Sequence, residues 1–268
     1  MENSGKIERS AGILMHISSL PSPFGIGTFG KTAYEFVDFV AQARHRYWQV
    51  LPLGPTTYGD SPYQSYSAFA GNPYFVDLEM LTDDGILDRN IYEDIDWGSG
   101  DYVDYEKVYN NRFTVLHEAY KNYRQKLSES RVKLAAGLPE YKKFDNFNKT
   151  NAYWLDDYAL FMAVKDQFGG VEWTKWAEDI RLRWSNAMDY YRKELYFDIE
   201  FQKYLQFGGM PILREYRFNE ARSIQALEGI YSTVILRDIL QRNTQSNQGL
   251  LHKLMLFLCS NIGSITSP

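Results

Sequence analysis

The sequence predicts an α/β fold that opens with a parallel strand–helix–strand unit and continues as a mainly helical chain. Three observations point there. Residues 11–17 (AGILMHI) form a short apolar run closed by Ser18-Ser19-Leu20-Pro21, the pattern of a buried strand. Residues 31–46 repeat apolar side chains at helical spacing, Phe36, Val37, Val40 and Ala43, with Asp38, Gln42 and Arg46 outside. Residues 47–53 (YWQVLPL) form a second apolar run closed by Gly54-Pro55. A strand, helix and strand in that order imply parallel pairing and a right-handed crossover.

The later elements follow from the same rules. From residue 56 the chain is loop-like until the short run 74–78 (YFVDL). Tyr105, Val108, Tyr109, Phe113, Leu116 and Tyr120 then make one long helical stripe. Residues 124–148 are charged and poorly patterned, as expected of a surface excursion. Residues 151–168 read as a strong helix stopped by Gly169-Gly170, and 188–207 as another. Gly208-Gly209-Met210-Pro211 marks a clear break. Beyond it, residues 221–241 place Ile224, Leu227, Tyr231, Val234, Ile235 and Ile239 on one face, and 250–261 form a further apolar helix. All six tryptophans lie between Trp48 and Trp184, so composition changes near residue 207. The expected division is therefore residues 1–207 and a helical piece, 208–268.

Composition narrows the function. A net charge of −5 argues against a general nucleic-acid binder, which would present a basic face. No run approaches the roughly 18 apolar residues of a membrane span, and the first ten residues are polar, without a secretory signal. A single cysteine, Cys259, excludes an internal disulfide framework and suits a reducing cytoplasm.

Two motifs invite a chemical reading. Residues 25–32 (GIGTFGKT), from Gly25 to Lys31-Thr32, fit the phosphate-loop pattern G-x-x-x-x-G-K-[ST] letter for letter. In a true phosphate loop the first glycine follows the strand directly, so that the strand end aims backbone N–H groups at the phosphates. Here residues 18–24, two of them prolines, intervene, and the next strand ends in Gly-Pro rather than a Mg²⁺-binding acid. Asp77 is a poor substitute, because its run is so short. Nucleotide binding is the disfavoured reading. The second motif is the loop after the second strand, where parallel α/β folds gather function. Residues 56–74 interleave Tyr58, Tyr63, Tyr66, Phe69 and Tyr74 with Asp60, Ser61, Gln64, Ser65, Ser67 and Asn72. Flat aromatic faces beside neutral hydrogen-bonding groups suit sugars, and packing over the sheet is the alternative.

The stretches RSAGILMHISSLPSPFGIGTFG, RYWQVLPLGPTTYGDSPYQSYSAFAGNPYFVDLE and YWLDDYALFMAVKDQFGG resemble the 4-alpha-glucanotransferases, the amylomaltases of glycoside hydrolase family 77. IRLRWSNAMDYYRKELYFDIEFQKYLQF is similar to the same family, so the resemblance runs from about residue 9 to 207. It implies an incomplete (β/α)8 TIM-type barrel of about two strands with a mainly helical insertion, and transfer of α-1,4-glucan segments between maltooligosaccharides without metal or cofactor. By position it implies Tyr58, Asp60, Ser61 and Tyr63 as sugar contacts, in the family's GDSPYQ motif. Retaining transfer needs two carboxylates, and the family's GDIPIY-like and GFRID-like motifs that carry them do not occur here. Asp156-Asp157, adjacent on a helix and so pointing apart, and Glu178 and Asp179 read as solvated faces or caps. No catalytic residue is assigned, the chain alone is expected to be inactive, and a residual glucan-binding module is the alternative. Residues 204–268 resemble the segment after the core of a prokaryotic AAA-type ATPase family, which suggests a join within 203–209.

Overall fold

The computed structural model describes residues 10–133 and 139–208, so the expected tail helices lie outside the described residues. The chain forms two compact units. One comprises Met1–Ser65 with Asn72–Asn122, the other Tyr66–Gly71 with Tyr123–Pro268.

The first unit holds the expected parallel pair. Strand β1 (Gly12–Leu14) lies beside β2 (Tyr47–Gln49), with Gly12 opposite Tyr47, Ile13 opposite Trp48 and Leu14 opposite Gln49. A Cβ on Gly12 would stand 2.7 Å from the Tyr47 carbonyl oxygen, so glycine is what lets the strands close here. Both strands are shorter than the apolar runs that predict them. After β1 the chain tightens into a 3₁₀ turn, Ile17–Ser19, and Leu51 donates its N–H to the His16 ring instead of to a strand.

Helix α1 (Lys31–Gln42) makes the crossover. It buries Ala33 and Val40 and sets Phe36 edge-on to Trp48 at 4.8 Å, and the Trp48 indole N–H donates to the Met15 carbonyl at 2.7 Å. It ends before the expected Arg46. The His45 N–H reaches back to the Val40 carbonyl, and Arg44 takes the left-handed position (φ 58°) usually held by glycine. Val37, expected on the inner stripe, is exposed.

The short run 74–78 takes up a turn and the start of a helix. Pro73–Phe75 form a buried 3₁₀ turn, and Asp77 caps helix α2 (Leu78–Asp83) by accepting the Met80 N–H at 3.0 Å. The unit's core gathers Ile17, Leu20, Ile26, Tyr74, Phe75 and Val108, the last from helix α3 (Tyr105–Lys133). Arg112 on α3 is wholly buried. Its guanidinium donates to the Tyr74 carbonyl at 2.8 Å and to the Val76 carbonyl, and lies over the rings of Phe24 and Trp97. Burial pulls it down to about 10, so it keeps its charge at neutral pH.

The second unit is helical: α4 (Pro139–Gln167), α5 (Glu178–Arg181), α6 (Ser185–Glu194) and α7 (Tyr196–Gly208). Gly169 and Gly170 both take positive φ where α4 stops, as expected of a glycine terminator. Two expectations change. The stretch 124–148 is helical over most of its described part, because Tyr123 and Phe144 supply two widely spaced anchors: Tyr123 packs against Tyr204 at 4.9 Å and against Phe144 at 6.2 Å. Residues 188–207 form two helices that meet at Leu195, which turns both Met188 and Ile199 onto one apolar cluster with Ala159, Ala163 and Trp176. Among the described residues, no helix is long and apolar enough to cross a membrane.

Candidate functional site

The carboxyl ends of β1 and β2 feed the groups of interest in the first unit. Beyond β2 the chain opens a loop that closes on itself through an antiparallel bridge between Thr56 and Ser65 and a Thr57 N–H to Gln64 carbonyl bond of 3.1 Å. Two successive turns build its tip. The first runs from Thr57 to Asp60 (Asp60 N–H to Thr57 carbonyl, 3.1 Å), with Gly59 supplying the φ of 96° its third position requires. The second spans Ser61 and Gln64 at 3.0 Å with Pro62 as its second residue, and the Ser61 hydroxyl accepts the Tyr63 N–H at 3.3 Å.

These turns decide how the four expected contacts are displayed. Tyr58 is 98% exposed and Tyr63 67% exposed, so both aromatic rings are largely open to water. Asp60 and Ser61 lie half-buried between them in sequence. Burial raises the Asp60 carboxyl above its ordinary value, and a hydrogen bond from the Thr56 hydroxyl opposes the shift. Tyr105, the first residue of α3, joins this group. Burial and then the charge of Asp60 raise its phenol, while a hydrogen bond with the Ser18 side chain opposes them. Ser18 comes from the turn after β1, so three elements meet around Tyr105. The sequence marks Tyr105 only as the start of a core stripe, and nothing in its spacing announces a partner in the loop.

Several other residues of 66–74 have packing roles of their own. Tyr66, Ser67 and Phe69 belong to the second unit, where Tyr66 packs on Phe161 and Phe69 stacks on Trp154 at 5.7 Å. The Ser67 hydroxyl accepts two backbone N–H groups, from Phe69 and Ala70. Tyr74 is buried in the core, and Asn72 caps the turn that carries it. For these residues the packing alternative holds.

A family model described as 4-alpha-glucanotransferase matches residues 15–217, three quarters of the chain. The chain belongs to the 4-alpha-glucanotransferase family. The 4-alpha-glucanotransferase of Clostridium butyricum is 46% identical over 194 residues, covering 72% of this chain and 37% of the relative. That of Thermus thermophilus is 41% identical over 201 residues, covering 75% and 38%. Among solved structures, an amylomaltase from Streptococcus agalactiae in complex with acarbose superposes with a TM-score of 0.68 at 37% identity, covering 75% of this chain and 39% of that one. The chain thus spans less than two fifths of the length of these relatives. The family match runs to residue 217, past residue 207, where the resemblance read from the sequence ends.

Within this family member the phosphate-loop pattern has a structural occupation. The Gly27 N–H donates to the Ser18 carbonyl at 3.3 Å and the Phe29 N–H to the Phe75 carbonyl at 2.9 Å, so both point into the protein. Gly27 and Gly30 are buried; a Cβ on the first would collide with the Ile17 carbonyl and on the second with the Asp77 carboxylate. Thr28 donates its hydroxyl to that carboxylate at 2.5 Å. Lys31 is exposed and pairs with Glu35 at 3.6 Å. The glycines serve close packing, not a phosphate.

The carboxylates of Asp156, Asp157, Glu178 and Asp179 are also engaged. Asp156 pairs with Lys203 at 2.8 Å and Asp157 with Arg183 at 2.9 Å, on diverging directions of α4. Glu178 opens α5 and faces Arg181 at 3.9 Å, and the Asp179 carboxylate accepts the Ile180 N–H.

Proposed function

We propose that this chain handles α-1,4-glucans, with Tyr58, Asp60, Ser61 and Tyr63 as sugar contacts on the loop after β2. The single observation that carries the reading is the exposure of Tyr58 and Tyr63 on a loop braced by two turns, in a member of the 4-alpha-glucanotransferase family. Exposed rings gain by stacking on the apolar face of a pyranose, and the Asp60 carboxylate and Ser61 hydroxyl are suited to its hydroxyl rim. The amylomaltase in complex with acarbose supports a carbohydrate ligand. The reading includes an incomplete barrel, of which β1 and β2 are the strands present among the described residues, and a reducing cytoplasm, supported by the lone Cys259.

The 268-residue chain by itself binds maltooligosaccharides and does not transfer them. Retaining transfer needs two carboxylates about 5 Å apart across the sugar. Support for the inactive reading is that the loop supplies Asp60, while Asp156 and Asp157 are held in ion pairs. Residues 208–268 are read as a separate piece akin to the post-core segment of an AAA-type ATPase family, a reading supported by sequence resemblance and trimmed at its start by the family match through residue 217. Sequencing genomic reads across codons 200–212 tests that join.

Titration with maltoheptaose, followed by tryptophan fluorescence, tests the binding. A saturable change is expected, weakened in Tyr63→Ala; a flat response ends the reading. Glucose release from maltotriose is expected to be negligible, and turnover at an ordinary enzyme rate would show carboxylates acting that this reading misses.

A further inference from the structure

We infer that His16 is a glucan-contacting hydrogen-bond donor, presenting its Nε2–H at the carboxyl end of β1. This rests on the glucan-binding reading above and adds to it a residue outside the loop.

His16 follows the last paired residues of β1, two positions before Ser18, whose side chain meets Tyr105. Its Nδ1 accepts the Leu51 N–H at 3.3 Å. A ring nitrogen that accepts carries no proton, so in the neutral imidazole the proton resides on Nε2. Burial lowers the ring's affinity for a second proton and keeps it neutral. The ring is further fixed edge-on to Phe75 at 5.4 Å. A histidine serving the core alone would have both nitrogens satisfied or sealed. Here Nε2 has no hydrogen-bond partner among the described residues, and it is not among the buried polar atoms closed off from solvent.

The result is a half-buried donor whose tautomer and orientation are set by a backbone amide and an aromatic ring. It stands on the strand-end side that also supplies Ser18, where the loop after β2 begins. A neutral donor fixed in this way selects an oxygen lone pair, and the hydroxyl and ring oxygens of a glucan provide one without the desolvation cost of pairing a charge.

The test uses the full chain, ¹⁵N-labelled, with maltoheptaose as the probe. Long-range ¹H–¹⁵N spectra at neutral pH are expected to show Nδ1 unprotonated and Nε2 protonated, with the Nε2 resonance moving during the titration while Nδ1 holds. His16→Asn keeps an acceptor for the Leu51 N–H, and its own amide donor is too short to reach the Nε2 position. It is expected to fold with an unchanged melting temperature and to bind about 5–10-fold more weakly, the value of one neutral hydrogen bond. His16→Gln, which restores a donor near the Nε2 position, should recover part of the loss. An Nδ1-protonated ring, an unmoved Nε2, or undiminished affinity in His16→Asn overturns the inference; should that variant fail to fold, the wild-type spectra still decide. Binding lost in Tyr63→Ala but kept in His16→Asn overturns this inference alone. Absence of binding by the wild-type chain overturns it together with the glucan reading.

Discussion

Gln206 offers the sharpest measurement of how the segment following the site loop is held. Its side chain is 3% exposed and grips both polar groups of Gly71: Oε1 accepts the Gly71 N–H at 2.8 Å, and Nε2 donates to the Gly71 carbonyl at 3.4 Å. Gly71 is itself buried, so the amide does the work of a missing strand neighbour. Gln206→Leu keeps the approximate volume and removes both bonds. An orphaned buried N–H costs about 1–3 kcal/mol, the longer carbonyl bond adds little, and the leucine's apolar surface offsets part. The expected loss is about 2 kcal/mol, or a melting temperature lower by about 4–8 °C for a chain of this size. Urea unfolding and amide exchange at Gly71 measure it, and Phe69 stacked on Trp154 should keep the fold intact. Gln206→Glu supplies a control. As a neutral acid it can both accept and donate, so its stability should be greatest at low pH and fall as pH rises through the carboxylate range. A Gln206→Leu loss under about 0.5 kcal/mol, with Gly71 exchange unchanged, would refute the reasoning.

Four further outcomes are expected. Thr28→Val removes a 2.5 Å hydroxyl–carboxylate bond to Asp77 and should cost about 1.5–3 kcal/mol in denaturant unfolding. Gly30→Ala should cost more, because its Cβ falls on the same carboxylate that caps α2; thermal melts compare the two variants. Asp166 is pushed up to about 6 by burial and then by the charge of Asp198, against Lys165. The folded chain therefore retains a proton that the unfolded chain releases near 3.8, and stability is lost as pH rises from there through about 6. Asp166 keeps solvent access, so screening trims the effect; Asp166→Asn should flatten the slope of stability against pH in that window. Lys31→Ala should leave stability within about 0.5 kcal/mol, because its ion pair is exposed, and ATP should produce no thermal shift in either form.

Residue patterns were most informative where one face of an element is buried. The parallel pair with its crossover helix, the glycine stop of α4, and Asp156 and Asp157 pointing apart are all visible as periodicity or spacing. The four loop residues are legible through family resemblance, and the loop's two turns explain why Tyr58 and Tyr63 stay exposed. Patterning misled where anchors are sparse, as around Tyr123 and Phe144, and where a helix bends to share a core, as at Leu195.

By itself, then, the sequence determined the α/β opening, the helical continuation and the family, because these depend on the order and spacing of apolar side chains along short segments. Only the tertiary structure decided where polar groups go inside. Arg112 sits four residues from both Val108 and Leu116, on the buried stripe, yet its residue type suggests a surface position. It is accommodated because two carbonyls, from Tyr74 and Val76, and two aromatic rings converge on it from distant parts of the chain. Gln206 and Gly71, Thr28 and Asp77, and Tyr105 with Asp60 and Ser18 are settled in the same way. A polar side chain is stable inside only where its partner lies across from it, and that partner is fixed by the fold rather than by neighbours in sequence.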